Sequence, residues 1–167
     1  SYNPAVRLNK AKPVHLTLKP PHFGIDCDEV ETKINRATKA IVINTPHNPS
    51  GAVLSNEDML RLTNIVNKHE LYLISDEVYE HIIFDGLEHN TALKYPELRD
   101  KTIAIYSFGK TFHATGWKTG YAIAPPEITV EFRKMHQFLV FSANAPIQYG
   151  IAKYLEDGDH YSYLREF

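Results

Sequence analysis

The most informative segment of the chain is Ser107-Phe108-Gly109-Lys110-Thr111-Phe112-His113-Ala114-Thr115-Gly116-Trp117-Lys118-Thr119-Gly120. It begins where a short β-branched run ends, and it carries two lysines among small and aromatic residues. A lysine in a partly desolvated pocket has a lowered pKa and becomes a nucleophile that can form a Schiff base. A second cation near a serine hydroxyl suits a phosphate group. The pattern therefore favours a chemical role for Lys110, Lys118 and Ser107 over the alternative of two ordinary surface lysines.

Two unrelated motifs overlap with the same stretch. Gly109-Lys110-Thr111 matches the end of a phosphate-binding P-loop, but that motif requires a glycine where Ala104 stands. Ser107-x-x-Lys110 and Lys118-Thr119-Gly120 match two marks of penicillin-interacting serine enzymes. Here the two marks are too close together to come from separate structural elements, and the third mark appears only as Ser75-Asp76-Glu77, ahead of the nucleophile. Both interpretations remain minor alternatives.

Outside this stretch, strand-like runs alternate with helix-like segments, as they do in α/β folds. The runs that predict strands are Ala40–Asn44, Leu71–Ile74, Ile103–Tyr106 and Tyr121–Ala124. One predicted helix starts at a capping box of Ser55 and Asp58, and its apolar face comprises Met59, Leu62, Ile65 and Val66. Two further helices are predicted from Glu127 to about Val140 and from Pro146 to about Leu155. We therefore expect an α/β fold whose mostly parallel sheet is flanked by helices.

Polar residues also follow two other predicted strands. Asn48 lies in the turn-rich loop after Asn44, and the loop after Ile74 contains Asp76 and Tyr79. Taken singly, each has a structural explanation: an Asp that caps a short helix, a Tyr that fills core space, and an Asn in a turn. However, the carboxyl ends of strands are where α/β sheets bind ligands, and a buried carboxylate needs a cationic partner. The three loops together therefore predict one site.

Composition excludes several classes of function. The chain of 167 residues suits one domain, and its formal net charge of −2 gives no electrostatic support to nucleic-acid binding. No apolar run approaches a membrane span. The one cysteine, Cys27, cannot form an internal disulfide, so we expect a cytoplasmic location. His69-Glu70 starts like a zinc-protease motif, but Leu73 occupies the second histidine position, so we expect no metal site.

Four ordered motifs resemble those of the fold-type I, class I/II aminotransferases, which use pyridoxal 5′-phosphate (PLP). They are Asn48-Pro49-Ser50-Gly51, Asp76-Glu77-Val78-Tyr79, Ser107-Phe108-Gly109-Lys110 and Gly116-Trp117-Lys118-Thr119-Gly120. The last motif, together with the segment 142–148, is similar to the kynurenine, glutamine and methionine branch; aspartate-type members carry arginine where Lys118 stands. The resemblance implies transfer of an amino group from an amino acid of methionine, glutamine, kynurenine or aromatic type to a 2-oxo acid.

The resemblance implies three candidate catalytic residues. Lys110 would hold the cofactor as a Schiff base and then shuttle a proton as general acid and base. Asp76 would pair with the protonated ring nitrogen, and Tyr79 would donate a hydrogen bond to the ring oxygen. The alternatives are a PLP-dependent carbon–sulfur β-lyase and a non-catalytic small-molecule-binding domain.

The same resemblance extends the set of cofactor-binding residues. Asn48 would share the ring oxygen with Tyr79, while Ser107 and Lys118 would hold the phosphate. The implied cofactor-binding set is Asn48, Asp76, Tyr79, Ser107, Lys110 and Lys118. The expected partners are an amino acid and a 2-oxo acid, with no nucleic acid and no membrane.

The chain is expected to be a piece of a longer protein, because it starts at Ser1 without Met and stops in a helix-like stretch, 163–167. Residues 1–167 would form the central part of a three-layer PLP-transferase large domain. Its N-terminal part and the small C-terminal domain would be absent. Since the family's substrate-clamping arginine, phosphate-capping loop and ring-stacking aromatic are not identified here, we expect this chain alone to be inactive. The full-length protein is expected to be a homodimer.

Overall fold

A four-stranded sheet forms the centre of the computed structural model, which describes residues 2–156, 158 and 160–165. Its strands are β1 Ala40–Asn44, β2 Tyr72–Asp76, β3 Thr102–Ser107 and β4 Gly120–Ile123. They lie side by side in the order β1–β2–β3–β4. The first three are parallel, whereas β4 is antiparallel to β3. The predicted α/β fold with a mostly parallel sheet is therefore confirmed.

Helices occupy most of the connections between the strands. The α-helices are α1 Tyr2–Leu8, α2 Cys27–Lys33, α3 Asn56–Lys68, α4 Phe108–Thr111, α5 Pro126–Leu139 and α6 Ala145–Leu155. Short 3₁₀ helices cover Ala92–Lys94, Pro96–Leu98, Thr115–Trp117 and Ser162–Arg165. The predicted helices correspond to α3, α5 and α6. Of the predicted helix-like stretch at the C-terminus, Glu166 and Phe167 lie outside the described residues.

The capping box at the start of α3 is confirmed. Ser55 Oγ accepts a hydrogen bond of 3.1 Å from the Asp58 N–H, and the Asp58 carboxylate accepts one of 3.0 Å from the Ser55 N–H. These bonds satisfy amide groups that the first turn of a helix leaves without partners. The apolar face of α3 is buried, with Met59, Leu62 and Val66 fully inaccessible. This face packs into the core that covers one side of the sheet.

The two faces of the sheet differ in how well they are covered. Side chains alternate between the faces of a strand. Ile43 and Leu73 are buried in the core with α3, whereas Val42, next to Ile43, is exposed. On β2 the alternation puts Ser75 on the same face as Leu73, and it puts Asp76 on the less covered face. Consecutive side chains at the end of β2 therefore lie in different surroundings, one on the covered face and the next on the less covered face.

The structure corrects the predicted end of one strand and reveals an additional helix. Strand β2 extends to Asp76, so this residue belongs to the sheet rather than to the loop that follows it. The N-terminal segment, which carries no recognisable helix signal, forms α1, where Arg7 Nε donates a hydrogen bond of 2.8 Å to Asn3 Oδ1 one turn earlier. Within the described ranges, no helix has the length and apolar character needed to cross a bilayer.

Candidate active site

Tyr79, in the turn after β2, links the two neighbouring loops. Its hydroxyl accepts a hydrogen bond of 2.8 Å from Nδ2 of Asn48. On the other side, Nζ of Lys110 lies 5.6 Å from the centre of the Tyr79 ring. A lysine cation at this distance over an aromatic ring is attracted to the negative face of the ring. The structure thus brings Asn48, Tyr79 and Lys110 together from three separate segments.

Asp76 is anchored through both its backbone and its carboxylate. Its carbonyl oxygen accepts hydrogen bonds of 3.0 Å from Asn44 Nδ2 and from the Thr45 N–H. Its Oδ1 accepts a bond of 3.3 Å from the Val78 N–H, and its Oδ2 accepts one from the Tyr2 hydroxyl. The alternative in which Asp76 caps a short helix is wrong, because residues 78–81 form turns.

Asn44, which the sequence analysis does not single out, connects β1 to the loop that carries Asn48. Its Oδ1 accepts a hydrogen bond of 2.9 Å from the Asn48 N–H, while its Nδ2 donates to the carbonyl of Asp76. One side-chain amide therefore holds the Asn48 turn against the end of β2. Its position as the single polar residue at the end of an apolar strand could have identified it from the sequence.

Ser107 ends β3 and begins α4. Its Oγ accepts a hydrogen bond of 3.4 Å from the Lys110 N–H, which fixes the turn that presents this lysine. Gly109 is buried in the same turn, and a Cβ there would lie 3.0 Å from Cα of Thr115. The glycine therefore allows α4 to pack closely against the following 3₁₀ helix.

Lys118 is exposed and has a left-handed backbone with φ of 54°. Two residues later, Gly120 pairs with Ser107 across β3 and β4. A Cβ on Gly120 would lie 2.3 Å from the carbonyl oxygen of Tyr106, so this close approach requires glycine. The pairing puts the backbone of Lys118 near the same strand end as Ser107.

A buried polar network lies on the covered face, directly behind the site. Oε1 of Glu77 accepts hydrogen bonds of 2.8 Å from the Ser75 hydroxyl and 2.9 Å from the Ala92 N–H. Oε2 is 2.7 Å from His89 Nε2 and accepts a bond of 3.1 Å from the Tyr106 hydroxyl. Burial alone would raise the pKa of Glu77, but hydrogen bonds from His89 and the Ala92 amide lower it overall. The network ties the ends of β2 and β3 together.

Two side chains next to this network also titrate unusually. Burial raises the pKa of Glu80 to about 7, against the opposing effect of the His89 charge. Burial, and then the negative charge of Glu80, raise the pKa of Tyr121 to about 12. Tyr121 stacks on Tyr106, with ring centres 4.8 Å apart. Of the two acids behind the site, Glu77 is therefore the one with the lower pKa.

Glu77→Gln should destabilise the cofactor-free protein by about 1.5–3 kcal/mol, because a charged acceptor of hydrogen bonds is lost in a buried position. Four donors face the carboxylate, and an amide offers only one oxygen to accept them. Since the pKa of Glu77 is lowered in the fold, its contribution is present at neutral pH and lost as the pH falls through the acid range. Denaturant unfolding at several pH values measures both effects.

Glu131→Gln is the matched control for this prediction. Glu131 forms a pair of 2.6 Å with Lys134 on exposed α5, and such surface pairs contribute about 0–1 kcal/mol. An equal loss of stability in the two variants, or a Glu77→Gln loss that does not shrink in acid, would contradict the role assigned to the buried carboxylate.

The site offers a distinctive set of chemical groups. A primary amine, a carboxylate, a phenol and an amide lie at one edge of the sheet, with a second lysine nearby in the chain. Such groups can attach a carbonyl compound covalently, oppose a cation and donate hydrogen bonds to ligand oxygens. Across the described residues, no group of three His, Cys, Asp or Glu side chains is arranged to hold a metal ion.

Comparison with known proteins connects this chain to one family. The family model described as aminotransferase class I and II matches residues 1–166. The methionine aminotransferase of Escherichia coli K12 is 44% identical over 168 residues, which covers 100% of this chain and 44% of that protein. The human kynurenine–oxoglutarate transaminase 3 is 36% identical over 162 residues, covering 91% of this chain and 36% of its own length.

Solved structures agree with these relatives. An Escherichia coli protein for which a methionine aminotransferase function is described superimposes with a TM-score of 0.95 at 43% identity, covering 99% of this chain and 44% of the other. The aromatic aminotransferase of Pyrococcus horikoshii superimposes with a TM-score of 0.92 at 36% identity, covering 98% and 44%. The chain thus spans less than half of each of these proteins. The chain therefore belongs to the class I and II aminotransferase family.

Proposed function

We propose that the protein containing this chain is a PLP-dependent aminotransferase that moves an amino group from an amino acid to a 2-oxo acid. The observation that carries the proposal is the position of Tyr79, which contacts both Asn48 and Lys110 beside the carboxylate-bearing end of β2. The named functions of relatives support an amino acid of methionine, kynurenine or aromatic type as donor. Glutamine is proposed as a further donor type on the resemblance of the sequence motifs alone.

The donor set of the site fits PLP. When bound, this cofactor supplies an aldehyde and a protonated ring that withdraws electrons from the substrate. Lys110 is the residue proposed to bind it covalently and, once released, to move a proton at the substrate α-carbon. Asp76 is proposed to oppose the charge of the ring nitrogen, which keeps that nitrogen protonated.

The remaining four proposed roles concern orientation. Asn48 and Tyr79, already joined by a hydrogen bond of 2.8 Å, would bind the ring oxygen together. Ser107 and Lys118 would bind the phosphate at the end of β3, one by a hydroxyl and the other by a positive charge. A cofactor held at its phosphate, its ring oxygen and its ring nitrogen has one orientation, and orientation is a large part of the catalytic advantage.

We further propose that residues 1–167 are the central part of the large domain, in a protein that continues on both sides. The supporting observation is that the relatives are more than twice as long as the matched segment. The full-length protein is proposed to form a homodimer and to reside in the cytoplasm.

The function is tested by incubating the full-length protein with PLP and pairs of amino acid and 2-oxo acid. Methionine, kynurenine, glutamine and phenylalanine are the donors, and the new amino acid and new 2-oxo acid are both quantified. We expect stoichiometric exchange with at least one pair, and no exchange by residues 1–167 alone. Release of pyruvate and ammonia from cysteine conjugates without exchange would instead identify a β-lyase.

A further inference from the structure

The carboxylate of Asp76 has a partner that comes from outside the sheet. Tyr2, the first residue of α1, donates a hydrogen bond from its hydroxyl to Oδ2 of Asp76. The two residues are 74 positions apart, so no local turn or strand pairing explains this contact. Tyr2 reaches Asp76 on the less covered face of the sheet, opposite the buried Glu77 network.

The other contacts of Asp76 hold its backbone more than its charge. Asn44 Nδ2 and the Thr45 N–H both donate to its carbonyl oxygen, and the Val78 N–H gives Oδ1 a longer bond of 3.3 Å. The phenol of Tyr2, by contrast, donates a side-chain hydrogen bond to the carboxylate itself. A charge-assisted bond of this type is roughly twice as strong as a neutral one and fixes the orientation of the acceptor.

We infer that Tyr2 is a positioning residue of the proposed cofactor site: its hydroxyl holds one oxygen of Asp76 so that the other oxygen faces the ring nitrogen of PLP. This inference rests on the proposed function, and it adds a residue that none of the four sequence motifs contains. Tyr2 acts through Asp76 and does not itself contact the reacting atoms.

The phenol is suited to be a permanent donor in this position. Burial, followed by the hydrogen bond to Asp76, raises the pKa of Tyr2 above its ordinary value. The hydroxyl therefore keeps its proton at neutral pH and remains a donor to Asp76. Side-chain exposure of 41% leaves the ring accessible enough for a substitution to be tolerated.

The test compares Tyr2→Phe with wild type in the full-length protein. Tyr72→Phe is the matched control, because Tyr72 is 46% exposed and lies at the opposite end of the strand that carries Asp76. Binding is measured for PLP and for an analogue in which carbon replaces the ring nitrogen. The removed hydroxyl should weaken PLP binding roughly ten-fold or more, because the lost bond involves a charged group. The analogue should bind Tyr2→Phe and wild type equally, since it offers Asp76 no cation.

A double-mutant cycle with Asp76→Asn separates positioning from a structural effect. If Tyr2 acts through the charge of Asp76, Tyr2→Phe should cause no further loss of PLP affinity in the Asp76→Asn background. The unfolding midpoint of the cofactor-free Tyr2→Phe protein should match that of Tyr72→Phe. The inference would be overturned if Tyr2→Phe lost equal affinity for PLP and for the analogue, or lost affinity for neither.

The outcome for wild type distinguishes failure of this inference from failure of the proposed function. Borohydride reduction of the wild-type protein with PLP should label Lys110. An unlabelled wild type would contradict the proposed function, whereas a labelled wild type with unchanged Tyr2→Phe binding would contradict only the role of Tyr2.

Discussion

Lys110→Ala in the full-length protein should abolish covalent attachment of PLP and reduce amino transfer by roughly 10²–10⁴-fold or more. Lys110 is the amine that the turn after β3 presents against the ring of Tyr79, 5.6 Å from its centre. Under the proposed function, its loss removes both the covalent anchor and the base that moves the α-proton, and alanine can replace neither.

Peptide mass after borohydride reduction measures the attachment directly. The peptide containing Lys110 should gain the mass of reduced PLP in wild type and in Lys153→Ala. This control removes an exposed lysine that pairs with Glu156 at 2.7 Å, far from the site in sequence. A label on Lys118, or transfer at the wild-type rate by Lys110→Ala, would show that the wrong lysine has been assigned.

Asp76→Ala should weaken PLP binding by about 3–5 kcal/mol, the range for breaking a shielded ion pair by removing one partner. Most amino transfer should disappear with it, because a ring nitrogen without its counter-charge holds its proton poorly. The substitution should leave the fold intact, since the backbone of Asp76 keeps its bonds from Asn44 and Thr45.

Comparing the binding of PLP with that of phosphate-free pyridoxal separates contacts to the ring nitrogen from contacts to the phosphate. Asp76→Ala should weaken the binding of pyridoxal and of PLP by the same factor, because both ligands carry the ring nitrogen. Lys118→Ala is the comparison variant. It should weaken the binding of PLP far more than the binding of pyridoxal, because only PLP carries the phosphate. Near-normal kinetics of Asp76→Ala would refute its role, and equal losses for the two ligands in Lys118→Ala would make Lys118 structural.

Features that depend on neighbouring residues could be read from the sequence. The capping box of Ser55 and Asp58 and the apolar face of α3 are properties of one turn or one helix. The strand runs were recognisable because a buried parallel sheet favours β-branched residues. The positions of Lys110 and Asn48 at strand ends followed from these runs.

Contacts between residues that are far apart in the sequence could not be predicted in this way. The partner of Glu77, His89, lies 12 residues further on, and Tyr2 lies 74 residues before Asp76. Hydrophobic periodicity carries no information about which distant polar groups will meet. The extent of β2 was also underestimated, because Ser75 and Asp76 are poor strand formers that the parallel pairing with Ile43 and Asn44 keeps in the ladder.

The alternation at the end of β2 has a consequence for insertions, deletions and enzyme engineering. Asp76, the last residue of β2, and Glu77, the residue after it, are adjacent acids whose carboxylates lie on opposite faces of the sheet. A single residue inserted into or deleted from β2 would exchange those sides, since the side-chain period is two. Both the acid of the proposed cofactor site and the buried acid would be displaced in one genetic event. Engineers who lengthen or graft this strand should therefore change it by pairs of residues.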